Sequence, residues 1–185
     1  MLVYVLPVSG GGFVTQLAIL QHLGAMHLTP DLVLASSGGN VAAYVAAAAD
    51  WKWPGIERIS REITHNLYVS PWSSVSAFSL IIGYFEGNVF NKGSGISDFL
   101  HAHFTPESIK KYEIWTGTYN KNKQRARLFC NRNKKNSIIN TKNIDYSLTQ
   151  SLTPVFCDGD IDLISTVSVA SASIPAVVPA QIIED

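Results

Sequence analysis

Leu34-Ala35-Ser36-Ser37-Gly38-Gly39-Asn40 is the stretch around which the rest of the chain organises. The apolar run Leu32-Val33-Leu34-Ala35 leads into it and reads as a buried strand. A small-residue run rich in helix formers, Val41 to Ala49, leads out. Strand, sharp turn carrying a serine, helix: this is the context of a nucleophile elbow. The usual consensus is G-x-S-x-G; Ala35 stands at the first glycine and Gly39 keeps the last. Small residues flank Ser37 because the turn is strained and strand and helix pack closely behind it. The helix N-terminus under the serine also favours developing negative charge. A plainer reading stands beside this one. Ser36 or Ser37 simply caps the alanine-rich helix, as serines commonly do.

The start of the chain bears on that choice. Leu2-Val3-Tyr4-Val5-Leu6 reads as a buried strand, and Ser9-Gly10-Gly11-Gly12 follows directly. Phe13, Leu17, Ile19-Leu20 and Leu23 then recur at helical spacing, with Gly24 as the expected stop. Pro30-Asp31 leads into the strand that ends at Ser37. The order is therefore strand, glycine loop, helix, strand, serine turn, helix. In a parallel βαβ unit both turns fall at the same C-terminal edge of neighbouring strands. Three consecutive glycines can aim several backbone N–H groups into one concavity. Beside a serine, such a nest is an oxyanion hole. A phosphate cradle is the alternative for a glycine loop here, but neither G-x-G-x-x-G nor a G-K-[ST] ending is present.

Four blocks, in order, resemble the patatin-like phospholipase family. Ser9-Gly10-Gly11-Gly12 is similar to the family's glycine-rich oxyanion loop, and Ala18 to Leu23 to its G-V-L-x-x-L helix. Pro30 to Gly39 resembles its P-D-x-I-x-G-T-S-A-G stretch. Ala170-Ser171-Ala172-Ser173-Ile174-Pro175-Ala176-Val177-Val178-Pro179 is similar to its A-S-x-A-x-P-x-x-F-P block. After its glycine loop the family often has Arg or Lys and then Gly; this chain has Val14 and Thr15.

The resemblance implies a three-layer α/β/α sandwich with a mainly parallel central sheet. It implies lipid acyl-ester hydrolysis of phospholipase A type by a Ser–Asp dyad, without a cofactor or a metal. Ser37 would be the nucleophile, in an elbow bounded by Ala35 and Gly39. The amides of Gly10, Gly11 and Gly12 would hold the oxyanion. The dyad aspartate would follow the A-S-x-A-x-P block, a few residues past Asp185, so the domain spanning residues 1–185 is expected to be C-terminally incomplete. Asp158-Gly159 precedes that block and reads as a turn. Two other readings remain: an impaired patatin-like module that binds lipid or protein, and an esterase whose triad uses one of the five histidines.

Composition narrows the classes. At 185 residues, 46% hydrophobic and with zero formal net charge, the chain can bury a core and is not a broadly basic nucleic-acid binder. Cys130 and Cys157 give neither a disulfide framework nor a zinc pattern, which favours a reducing, cytoplasmic setting; the lipid substrate that the resemblance implies adds peripheral contact with membranes. The first eight residues lack the basic start of a signal peptide, and Val41 to Ala49 is far below the roughly 20 residues of a membrane span.

The middle is less regular. Ile56, Ile59 and Ile63 lie on one face of an expected helix. Phe78 to Phe85 is strongly apolar and reads as a core helix or as a cover over the serine. Thr105-Pro106-Glu107-Ser108 carries a helix-start signature. Lys121 to Lys135 holds seven of the fourteen basic residues and no acidic ones. There, Arg127 to Cys130 and Ser137 to Ile139 are expected to form a hairpin with a polar tip. It reads as a solvated edge hairpin or as a landing patch for anionic lipid headgroups.

Overall fold

The computed structural model describes residues 1–7, 12–64, 94–120, 124–139, 153–172 and 183. β1 (Val3–Leu6) leads to α1 (Phe13–Ala25), then β2 (Leu32–Ser36), α2 (Gly38–Ala48) and α3 (Trp53–Thr64). α4 (Ser94–His103) and a single 3-10 turn (Ser108–Lys110) precede β3 (Glu113–Asn120) and β4 (Arg125–Cys130). β5 (Thr153–Phe156) and α5 (Ile161–Ala172) follow. The architecture is the layered α/β sandwich expected, with a mostly parallel central sheet.

The strands lie in the order β1-β2-β3-β4-β5. β1–β2, β2–β3 and β4–β5 are parallel, and β3–β4 is antiparallel. The register fixes which residues share a face. Tyr4 pairs with Val33, Val33 with Ile114, and Ala35 with Thr116. With a side-chain period of two, these positions point to one face, and the alternate ones (Val3, Leu32, Leu34, Trp115) to the other. The buried clusters divide the same way. Tyr4, Leu6, Val33, Ala35, Ile114 and Phe129 join buried residues of all five helices in the larger core. Leu32, Trp115 and Cys130 form the smaller one, with Ile139 against it.

α2 is the central helix. Every residue from Gly38 to Ala47 is buried, which explains a sequence almost wholly of Gly, Ala and Val. It touches β1, β2, α1, α3, α4 and α5. Helices can approach it this closely only because its side chains are short. α1 follows its expected face through Phe13, Leu17 and Leu20. Gly24 is not the expected stop. It is buried inside α1, and a Cβ there would stand 2.6 Å from the Trp51 carbonyl oxygen, so the glycine admits the α2–α3 connection. The helix runs on to Ala25, with Met26 as its C-cap, and the left-handed residue that follows is His27, at φ 57°.

Three further expectations are corrected or lie elsewhere. The helix start at Thr105 yields only the turn at Ser108–Lys110, because strand β3 begins at Glu113. The basic hairpin is differently built. β4 pairs antiparallel with β3 and parallel with β5, so it is an interior strand. Ser137 to Ile139 is not its partner but a loop tied to Glu113. Ser137 Oγ and Ile138 N–H donate to the Glu113 carboxylate at 2.8 and 2.6 Å. Phe78 to Phe85 lies outside the described residues. No helix among the described residues is long and apolar enough to cross a membrane.

Candidate active site

Strand β2 ends at Ser36, α2 begins at Gly38, and Ser37 is the whole turn between them. Its backbone sits at φ 53° and ψ −129°, a conformation that L residues adopt only under constraint. It occupies the N-cap position of α2, yet its side chain makes no capping hydrogen bond. An ordinary serine cap has β-region dihedrals and an oxygen bonded to the N2 or N3 amide. Ser37 does neither, which removes the plain capping reading. Its side chain is nearly buried, and among the described residues nothing hydrogen-bonds its Oγ.

Three constraints hold the turn. The first is clearance. A Cβ on Gly39 would come within 2.7 Å of the Leu6 carbonyl carbon and 2.8 Å of the Pro7 oxygen. The exit of β1 therefore passes directly over the first turn of α2. The chain leaving β1 toward the triple glycine thus starts beside the serine turn. Gly12 closes that loop as the residue before α1, at φ −72° and ψ −2°; Gly10 and Gly11 lie outside the described residues. Gln16 Nε2 donates to the Pro7 carbonyl at 3.0 Å and ties the first turn of α1 to the same exit.

The second constraint is polar and lies under the elbow. Asn40 is fully buried, its N–H donates to the Ser37 carbonyl at 2.9 Å, and its Oδ1 accepts from Thr116 Oγ1 at 2.6 Å. Thr116 is on β3, opposite Ala35. Tyr44, one turn further along α2, is also buried, and burial pushes its phenol well above its ordinary range. The third constraint comes from the last turn of α5. The Ser37 N–H donates to Ser171 Oγ at 2.9 Å, and that hydroxyl donates to the Gly117 carbonyl at 2.6 Å.

Other candidates fall away on position. Asp158 takes φ 49° in a turn at the far end of α5, roughly 15 Å along the helix axis from Ser171. His101 bonds Asp162 in the first turn of α5, at that same far end. His103 faces Glu62 at 3.6 Å. Burial pushes the thiols of Cys130 and Cys157 up to about 12, so both are protonated at neutral pH and poor nucleophiles. Among the described residues no group of three His, Cys, Asp or Glu side chains could hold a metal.

A mostly parallel sheet whose second strand breaks at a strained serine directly into a buried helix defines an α/β protein with the strand–turn–helix form of an elbow. The chain belongs to the patatin-like phospholipase family, whose model matches residues 6–185. That match runs from the end of β1 to the last residue and supports a general lipid acyl hydrolase assignment. No curated protein matches the chain.

Proposed function

We propose that this chain belongs to a phospholipase A-like lipid acyl hydrolase and carries its nucleophile, Ser37. The observation that carries the reading is the backbone of Ser37. A strained, uncapped serine whose hydroxyl has no partner among the described residues, at the C-terminal end of a parallel strand, suits a nucleophile and suits little else. Ser37 Oγ attacks the acyl carbonyl carbon, and its proton passes to a general base. The carbonyl oxygen becomes an oxyanion held by the amides of Gly10, Gly11 and Gly12. Collapse expels the alcohol, which takes the proton from the base, and leaves an acyl-serine. Water then attacks the acyl carbon as the base takes its proton, and collapse of that second tetrahedral species breaks the bond to Oγ, returns the proton from the base to Ser37 and releases the fatty acid. The base in this reading is an aspartate beyond Asp185, by resemblance to the family. Each oxyanion donor is worth about 3–4 kcal/mol of transition-state stabilisation. The start of α2 adds the positive end of a helix dipole beneath the oxyanion. The reading gives the protein an acyl-lipid substrate met by peripheral contact with a membrane surface in the cytoplasm, and no metal or cofactor.

Treatment of the full-length protein with a fluorophosphonate probe tests this. Labelling is expected in the wild type and absent in Ser37→Ala. Labelling that survives the substitution removes the nucleophile, and a wild type that neither labels nor hydrolyses lipid esters leaves a lipid- or protein-binding module. Product analysis with an added alcohol acceptor separates hydrolysis from acyl transfer.

A further inference from the structure

We infer that Ser171 is a positioning residue for Ser37, acting through the peptide that carries the strained elbow. The inference rests on the reading of Ser37 as nucleophile. A serine hydroxyl has one proton. At Ser171 that proton goes to the Gly117 carbonyl at 2.6 Å, so Oγ is left to accept from the Ser37 N–H at 2.9 Å. The polarity of this chain is fixed: Ser37 amide to Ser171 hydroxyl to Gly117 carbonyl. Gly117 is the residue opposite Ser36, the last pair of the β2–β3 ladder. The hydroxyl is therefore wedged where the ladder ends and the elbow begins.

Two consequences follow for the reaction. First, the Ser37 N–H is committed to Ser171, so it is not an oxyanion donor. The acyl oxygen must be bound by the glycine loop and the start of α2. Second, the orientation of the Ser36–Ser37 peptide is locked. Without the Ser171 hydroxyl the amide loses its acceptor. Among side chains of the described residues, the Gly117 carbonyl would keep Ser36 Oγ, at a long 3.5 Å. The peptide could then rotate and relieve the φ of 53°, carrying the Ser37 hydroxyl away from its attack geometry. A displacement near 1 Å costs about 100-fold in rate.

The test uses Ser171→Thr and Ser171→Val in the full-length protein, since the two side chains share a shape and differ in the hydroxyl. Ser171→Thr is expected to label with fluorophosphonate and turn over lipid ester close to the wild-type rate. Ser171→Val is expected to lose about 10- to 100-fold in kcat and in labelling rate, with KM little changed. A purely structural role would lower the melting temperature and the folded fraction but leave kcat per folded molecule intact. Equal rates for Thr and Val, per folded molecule, overturn the inference. If Val does not fold, Ser171→Cys replaces it: a thiol, a weaker partner at both ends, should label more slowly than Thr, and equal rates again overturn the claim. Ser37→Ala run alongside separates the two failures. If it still labels, the nucleophile reading falls; if it is silent while Val matches Thr, only the role of Ser171 falls.

Discussion

Gly39→Ala isolates the clearance between the exit of β1 and the first turn of α2. The added methyl would meet backbone only: 2.7 Å to the Leu6 carbonyl carbon and 2.8 Å to the Pro7 oxygen, where ordinary contact begins at 3.4 Å. The Leu6 carbonyl oxygen would be nearer still, and none of these partners is a flexible side chain, so the exit of β1 and the first turn of α2 must part by more than the roughly 0.7 Å that the carbonyl carbon alone requires. Overpacking of this kind costs about 1–3 kcal/mol. Alanine is the better helix former by about 1 kcal/mol, which works against that loss. With backbone on every side the overpacking cost falls at the upper end of its range, so the net expectation is about 2 kcal/mol of destabilisation, or a melting temperature lower by about 4–8 °C at this chain length. Activity should fall further than stability. In the proposed mechanism the same separation would move the loop amides away from Ser37, and errors of this order approach the range where rates drop about 100-fold. Differential scanning fluorimetry and fluorophosphonate labelling of the folded fraction read the two effects. Gly117→Ala is the control: its Cβ would find nothing nearer than 3.7 Å, so it should melt within about 1 kcal/mol of wild type. If Gly39→Ala melts and labels like wild type, β1 does not exit over α2 as described, and the site loses its geometric basis.

Two further outcomes follow from the same structure. Glu113 is fully buried and accepts from Trp115 Nε1, Ser137 Oγ and Ile138 N–H, with Arg132 at 3.5 Å. Glu113→Gln places an amide donor against these donors and removes the charge, so it should destabilise by about 3 kcal/mol and loosen the 131–139 loop; an unchanged melt with unchanged proteolysis contradicts this. His101 faces two acceptors, the Ser97 carbonyl and Asp162, each at 2.9 Å, and the Ser97 bond, followed by Asp162, raises its pKa. A raised folded pKa adds stability that is fully present below the unfolded value of about 6.5 and fades as pH rises through the folded one. The wild type should therefore outmelt His101→Ala by a small margin near pH 5.5 and by less near pH 8.5, and a margin that grows with pH would contradict the α4–α5 tie.

The first sixty residues were legible because their information is local. β1, α1, β2, α2 and α3 follow from apolar runs and helical spacing, and the elbow follows from three small residues around one serine. What was not legible depends on distant partners. Arg127 to Cys130 can pair by pattern with either neighbouring segment. It takes Glu113–Asn120 because that strand is already paired with β2, an arrangement no window around residue 127 contains. Gly24 has the residue type of a stop, but the Trp51 carbonyl, 27 positions away, makes it a packing residue. Ser171 was visible as part of a family-like block; its task was not, because the amide it holds lies 134 residues earlier.

That separation bears on how the strain at position 37 persists. A non-glycine residue in such a conformation costs on the order of 1–3 kcal/mol. A net hydrogen bond supplies about 1 kcal/mol, so neither the Ser171 contact nor the Asn40 amide alone offsets it. Together with the close passage at Gly39 they over-determine the turn. The three come from β1, from α2 itself and from the last turn of α5. The elbow is thus not a property of the strand–serine–helix segment that spells it. A chain with β1, β2 and α2 in place but α5 undocked lacks the acceptor for the Ser37 amide, and its serine turn is free to relax. If Ser37 is the nucleophile proposed above, its attack geometry arises only when α5 docks onto the sheet, which couples folding of the C-terminal third to competence of a serine near the N-terminus.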